Sequence, residues 1–240
     1  MEYIQTDDIL YIGSCRYETL FTYISSTRVY TSTEAFNLIS KLINNTLTVD
    51  QLQFPGSINP VLQPNFIKLM NRGISSNIKM IVIEISSRKL LFRVNTKGQL
   101  IKTTPISHVA FGGGLDGLIR QGRIAKYALL DDEIKTDLIN IRSILNPNIK
   151  LVIIPHVNLP ISNINPTYIP DRANLVDVLR NITSTMENTI FIDMAKSPAL
   201  AGQYIETVMA DSNHFNCEHL QPNSDLYHYI RSIIGLPQII

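Results

Sequence analysis

Short runs of Ile, Val and Leu recur along the chain at Ile9 to Gly13, Met80 to Ile85, Leu151 to Pro155 and Thr189 to Asp193. Each is bordered by a stretch whose apolar residues fall at helical spacing. Apolar runs without alternation, separated by amphipathic segments, predict buried parallel strands joined by crossover helices. Thr31-Ser32-Thr33-Glu34 has the capping-box form, and behind it Phe36, Ile39, Leu42 and Ile43 share one helical face. Leu130 to Leu145 repeats the design with Ile134, Leu138, Ile141 and Leu145 in a stripe that ends before Asn146-Pro147. Two more helices are expected, from about Asp171 to Met186 and from about Asn223 to Ile234. All four stripes read as core packing.

From Lys89 to Gly122 the pattern changes. Leu90 to Val94 and Leu100 to Thr104 flank Asn95-Thr96-Lys97-Gly98, which reads as a β-hairpin-like insertion on the α/β frame. Gln51 to Asn65, punctuated by prolines, reads as a long loop over one sheet edge. With no repeat and no linker composition, residues 1–240 are expected to form a single α/β domain.

Composition narrows the function classes. A chain of 240 residues can bury a substantial core without covalent staples. Its 21 Lys and Arg against 20 Asp and Glu, with no basic stripe, predict no nucleic-acid partner, because affinity for phosphate backbones comes mainly from clustered cations. Two cysteines make no disulfide framework, and no Cys/His spacing suits zinc, so no metal site is expected. Without an apolar run of signal-peptide or membrane-spanning length, the expectation is a soluble cytoplasmic protein with no membrane contact, in which the sequons at Asn44 and Asn181 carry no meaning.

In open parallel sheets ligands bind beyond the carboxyl ends of the strands, so the residues just after each run are the first candidates. They are Gly13-Ser14-Cys15-Arg16, Glu84 to Arg88, Pro155-His156-Val157-Asn158 and Asp193, joined late in the chain by Asp211-Ser212-Asn213-His214 and by His219. A Cys at a strand-to-helix turn can sit at the positive end of a helix, where its thiolate fraction grows. A His oriented by a carboxylate can take the thiol proton and return it to a leaving group. Backbone N–H groups of Ser14, Cys15 and Arg16 would face a developing oxyanion. These parts suit acyl transfer.

A Gly-Ser-Cys turn after the first strand, with a late Asp-x-x-His before the last helix, resembles the SGNH (GDSL-like) hydrolase superfamily, in a branch with Gly-Ser-Cys where typical members have Gly-Asp-Ser. The resemblance spans about Ile9 to Ile234 and implies a three-layer α/β/α sandwich of flavodoxin-like type. Carried over by position, Gly13 opens the turn, Cys15 takes the nucleophile slot, Ser14 replaces the usual Asp, and Asp211 and His214 complete a triad. His219 is the alternative base, since it also precedes the last helix; His214 is preferred because only it has Asp three residues before it. The Gly-x-Asn turn that supplies oxyanion donors in the family has no counterpart here, and Asn158, with Gly113 in Gly112-Gly113-Gly114, is the nearest substitute.

The implied activity is that of an esterase or acyltransferase on an O-acyl, acetyl-type ester of a glycan or small molecule. It needs no cofactor beyond an acyl donor such as acetyl-CoA in the transferase case. The competing reading is a catalytically silent domain that binds a carbohydrate or protein partner in the same cleft. Ser14 as nucleophile is a third. Arg16 either meets an anionic group of the ligand or pairs with an acid of the fold, and His156 is either a pocket group or a structural histidine. Glu84, a carboxylate among Ile and Val, needs a buried partner, for which Arg16 and Arg88 are candidates. Gly112 to Gly117 lacks the ending of a phosphate loop and reads as a flexible loop, a lid or an oxyanion donor. The family arrangement would bring Cys217 near Cys15, close enough to pair on oxidation.

Overall fold

A computed structural model describes residues 8–13, 17, 29–46, 74, 77–106, 115–160, 170–209, 215–221 and 223–236. The chain is a mixed α/β protein with a parallel central sheet. Strands β1 (Ile9–Ile12), β2 (Met80–Ile85), β6 (Lys150–Pro155) and β7 (Thr189–Phe191) lie in the order β1-β2-β6-β7, every neighbouring pair parallel. A second, antiparallel sheet has the order β4-β3-β5, formed by β3 (Lys89–Val94), β4 (Leu100–Ile106) and β5 (Ile124–Ala128). The expected hairpin is β3-β4, turning through Asn95 to Gly98, where Asn95 Oδ1 accepts from the amides of Lys97 and Gln99, both at 2.9 Å. Its third strand, β5, went unpredicted.

Among the described residues six helices accompany the sheets: α1 (Ser32–Ile43), α2 (Leu115–Arg120), α3 (Asp131–Ile144), α4 (Pro170–Thr183), α5 (Ile205–Val208) and α6 (Asp225–Ile234). The capping box at α1 is present in full: Thr31 Oγ1 accepts from the Glu34 amide at 3.3 Å, and Glu34 Oε2 accepts from the Thr31 amide at 3.1 Å. Helix α2 corrects the expectation of a loop or lid for Gly112 to Gly117, since Leu115 to Gly117 are helical; Gly112 to Gly114 lie outside the described residues.

Alternation along the parallel strands sorts the core into two faces. Leu10, Ile12, Ile81, Ile83, Leu151 and Ile153 pack with Leu38, Ile39 and Leu42 of α1, Ile134, Leu138 and Ile141 of α3, and Leu175 and Leu179 of α4. Ile9, Tyr11, Met80, Val82, Val152 and Ile154 meet Leu226, Tyr227, Ile230 and Ile234 of α6 and the residues leading to it. A sheet that advances in one direction through right-handed crossovers carries all its crossover helices on one face. That is the arrangement of α1, α3 and α4, and the chain after β7 supplies the other layer. Among the described strands there is no reversal of order of the kind a flavodoxin-like sheet contains.

Helices α1 and α3 are also tied by polar atoms. Ser32 Oγ and Thr33 Oγ1, in the first turn of α1, both donate to Asp137 Oδ2 of α3 at 2.7 Å. Burial pushes the Asp137 carboxyl above the usual carboxylate range, against the pull of those two hydroxyls. Glu34 is likewise raised by burial, although the Tyr30 and Thr31 donors oppose the shift.

Candidate functional site

The carboxyl edge of the parallel sheet brings together the ends of β1, β2, β6 and β7. Pairing of Ile12 with Ile83 and of Glu84 with Ile154 sets Gly13, Glu84 and Ile154 level with one another along that edge. Glu84 is fully buried, and its Oε2 accepts a hydrogen bond from the Tyr11 hydroxyl at 2.8 Å. Arg88 is not its partner. That guanidinium turns to the helical face, where it bonds Asp131 at the start of α3 and Asn174 Oδ1 of α4, the latter at 2.8 Å.

Beyond β6 the chain continues as His156-Val157-Asn158-Leu159, with Val157 and Leu159 buried against the α6 layer. His156 is buried, and its Nδ1 lies 2.8 Å from the Val157 carbonyl. A carbonyl only accepts, so Nδ1 carries the proton; in the neutral ring Nε2 is then the acceptor, the form able to receive a proton or a hydroxyl hydrogen. Asn158 is half-buried beside it.

Tyr17 sits over this same strand end. Its hydroxyl donates to the Pro155 carbonyl at 3.2 Å, and its ring meets that of Phe215 with centroids 5.7 Å apart. Phe215 is fixed by an antiparallel bridge to Met209 at the end of α5, reinforced by the Asn216 amide on the Val208 carbonyl at 2.9 Å. The start of α5 is held in turn by the Ile205 amide on the Pro160 carbonyl at 2.9 Å. The segments that border residues 14–16 and 210–214 are thus anchored together at the end of β6. Tyr17 and Phe215 were not among the residues singled out from sequence, yet an aromatic residue just past each candidate motif was there to be read.

His219 lies in the 3-10 turn Cys217–Leu220 ahead of α6. Its carbonyl accepts from Ser224 Oγ at 2.8 Å while that same oxygen caps the Tyr227 amide at 3.2 Å, which ties the turn to the start of α6. The ring's Nε2 stands 3.5 Å from Glu218 Oε1, its neighbour in sequence. At the end of β7, Asp193 holds the fold together: its Oδ2 accepts from Arg180 Nη2 of α4 at 2.6 Å and its Oδ1 from the Ala195 amide at 3.2 Å. The Tyr229 hydroxyl of α6 reaches the Asp193 carbonyl at 3.1 Å, and its pKa is raised by burial and, to a lesser degree, by the Asp193 charge.

Of the site residues named from sequence, Gly13, His156, Asn158 and His219 are described; the first three lie at the carboxyl edge of the sheet and His219 at the entry to α6. Ser14, Cys15, Arg16, Gly113, Asp211 and His214 lie outside the described residues, and with Cys15 goes one half of the expected cysteine pair. Among the described residues no group of His, Cys, Asp and Glu is placed to hold a metal ion, and no helix is long and apolar enough to cross a membrane. Comparison with protein-family models, curated proteins and solved structures returned no match.

Proposed function

We propose that the chain is an SGNH-like esterase or acyltransferase that acts on an O-acyl, acetyl-type ester of a glycan or small molecule. The observation that carries this reading is the contact between Tyr17 and Phe215 over the end of β6. Tyr17 follows Cys15 by two residues and Phe215 follows His214 by one, so the two sequence motifs border segments anchored at one place on the sheet. That place is the carboxyl edge, where open parallel sheets carry their ligands. The finer fold in this reading is the SGNH-type α/β/α sandwich; a parallel sheet with helices on both faces supports the sandwich, while the order β1-β2-β6-β7 departs from the flavodoxin-like order among the described strands.

Cys15 acts as nucleophile, His214 as base and then acid, and Asp211 orients His214. The Cys15 sulfur gives up its proton to His214 and attacks the acyl carbon, while backbone N–H groups of the turn hold the oxyanion. The intermediate collapses to a thioester as the alcohol leaves with the proton from His214. Water, in hydrolysis, or an acceptor hydroxyl, in transfer, then attacks the thioester; His214 takes its proton and returns it to the sulfur. In the transferase case an acyl donor such as acetyl-CoA loads Cys15. His156 and Asn158, beyond β6, and Arg16 beside the nucleophile line the substrate side, with Gly113 as a further oxyanion donor.

Purified chain assayed on p-nitrophenyl acetate and on an acetylated oligosaccharide tests the reading. Cys15→Ala and His214→Ala are each expected to lower kcat at least about 10³-fold, as removal of a triad member does elsewhere. Ser14→Ala should retain activity, whereas loss there with Cys15→Ala unaffected moves the nucleophile to Ser14. Turnover that survives both Cys15→Ala and His214→Ala overturns the reading. His219→Ala separates the two candidate bases in the same way.

A further inference from the structure

Tyr11 and Glu84 have no step in the chemistry proposed above, yet they form a polar pair inside the sheet immediately before its carboxyl edge. Both are buried, at 1% and 0% exposure, among Met80, Val82 and Ile154. Tyr11 lies two residues ahead of Gly13 on the same face of β1, and Glu84 stands level with Gly13 on the neighbouring strand. The Tyr11 phenol leans forward along β1 until its hydroxyl, donating to Glu84, fills the space a side chain at position 13 would need. A Cβ on residue 13 would stand 2.5 Å from the Tyr11 hydroxyl oxygen, 2.6 Å from Glu84 Cβ and 2.7 Å from Tyr11 Cζ. Only glycine lets the backbone rest directly on this pair.

Stability is a weak reason for such a pair. A carboxylate buried in an aliphatic sheet is costly even when bonded, and apolar side chains of the same volume are often neutral or stabilising in its place. Its location supplies a reason. The Gly13 backbone, pressed on the phenol and the Glu84 stem, is the last point of β1 before residues 14–16.

We propose that Tyr11 and Glu84 are positioning residues: their hydrogen bond makes a rigid floor under Gly13 that sets the direction in which the chain leaves β1 and so aims the nucleophile turn. This inference rests on the reading of residues 14–16 as that turn. The floor acts through the backbone of Gly13 and touches no substrate. Its loss costs catalytic geometry, which lowers kcat, and leaves substrate affinity and KM in place.

The test uses the 240-residue chain carrying Cys217→Ala, so that Cys15 is the remaining thiol, and follows its alkylation by iodoacetamide across a pH series beside kcat and KM. Tyr11→Phe, which deletes the donor and keeps the ring, is expected to change the Cys15 alkylation rate and to lower kcat by about 10-fold, with KM within about twofold. Glu84→Gln keeps an acceptor for Tyr11 and is expected to hold both quantities within about threefold of the parent. Glu84→Met removes the acceptor at similar volume and serves as the second probe if Tyr11→Phe does not fold; it should reproduce the loss. Ile141→Val, on the opposite face, controls for stability and should move neither. The proposal is overturned if Tyr11→Phe or Glu84→Met lowers thermal stability while the alkylation profile and kcat stay at parent values. The alkylation series needs no turnover, so it judges the floor even if Cys15→Ala proves that the thiol is not the nucleophile.

Discussion

The two faces of the parallel sheet are built on different terms. On the face covered by α1, α3 and α4, the strands present Leu and Ile with Phe191, and the polar groups lie among the helices: Thr31 and Ser32 where α1 begins, Asp137 of α3 beneath them, and Thr183 where α4 stops. On the α6 face the same strands carry Tyr11 and Glu84, and the layer above adds the ring contact of Tyr17 with Phe215 and the buried Arg231 over the Tyr227 ring at 5.2 Å. Polar atoms in a core are costly to bury and exacting in their geometry, whereas aliphatic packing is tolerant in shape and large in energy. The first face therefore holds the fold, and the second fixes where particular atoms stand at the carboxyl edge.

Substitutions can break or sharpen that division. The largest loss of stability is expected from Leu138→Ala on the helical face, about 2–5 kcal/mol by denaturant titration, with the Cys15 alkylation profile of the folded protein unchanged. Gly13→Ala on the other face should cost about 1–3 kcal/mol, because its Cβ collides with Tyr11 and Glu84, and should also disturb Cys15 reactivity. Equal behaviour of these two variants in the thiol assay would erase the distinction between the faces. Tyr11→Phe should cost about 1–2 kcal/mol by removing a donor from the Glu84 carboxylate, readable as a lowered denaturation midpoint.

The smallest effect belongs to Asp137→Asn. Burial raises the Asp137 carboxyl in the folded chain, so its contribution to stability is complete below the unfolded carboxylate pKa and is lost as pH rises through the folded value. The stability advantage of the parent over Asp137→Asn should accordingly shrink from acidic toward neutral pH in paired denaturant titrations. An advantage that grows with pH would contradict the assignment of burial as the dominant cause.

How much was legible followed from how local the signal was. The four parallel strands are announced by short runs rich in Ile, Val and Leu, and α1 by a capping box that the structure completes atom for atom. Strand β5 was not legible, because Ile124 to Ala128 is a short Ile-Ala-Lys-Tyr-Ala run whose strand character comes from pairing with β3, about thirty residues earlier. Helix α2 hid behind a glycine run that reads as loop. At the candidate site, the peculiarity of Glu84 is visible in the sequence; of the two cations that charge complementarity offers, Arg88 turns away and Arg16 lies outside the described residues, while the alternation of Ile9, Tyr11 and Gly13 on one face supplies a phenol. Tyr17 and Phe215 were passed over because aromatic residues beside a motif carry no chemistry of their own; their meaning lies in a contact between opposite ends of the chain.

The strand order has a consequence in time. Because β1, β2, β6 and β7 are laid down in the sequence in which they pair, a growing chain can complete the sheet and its α1-α3-α4 layer progressively, each new strand docking beside the last. Among the described residues most of the cover of the opposite face comes from Met194 through α6, so that part of the layer is completed only late in synthesis. An unfinished chain would lack the α6 cover over Ile9, Met80, Val82, Val152 and Ile154, apolar surface of the kind that favours aggregation. It would also lack the segment that bears Asp211 and His214, so that in the proposed enzyme no acyl group could be turned over before the last layer closes.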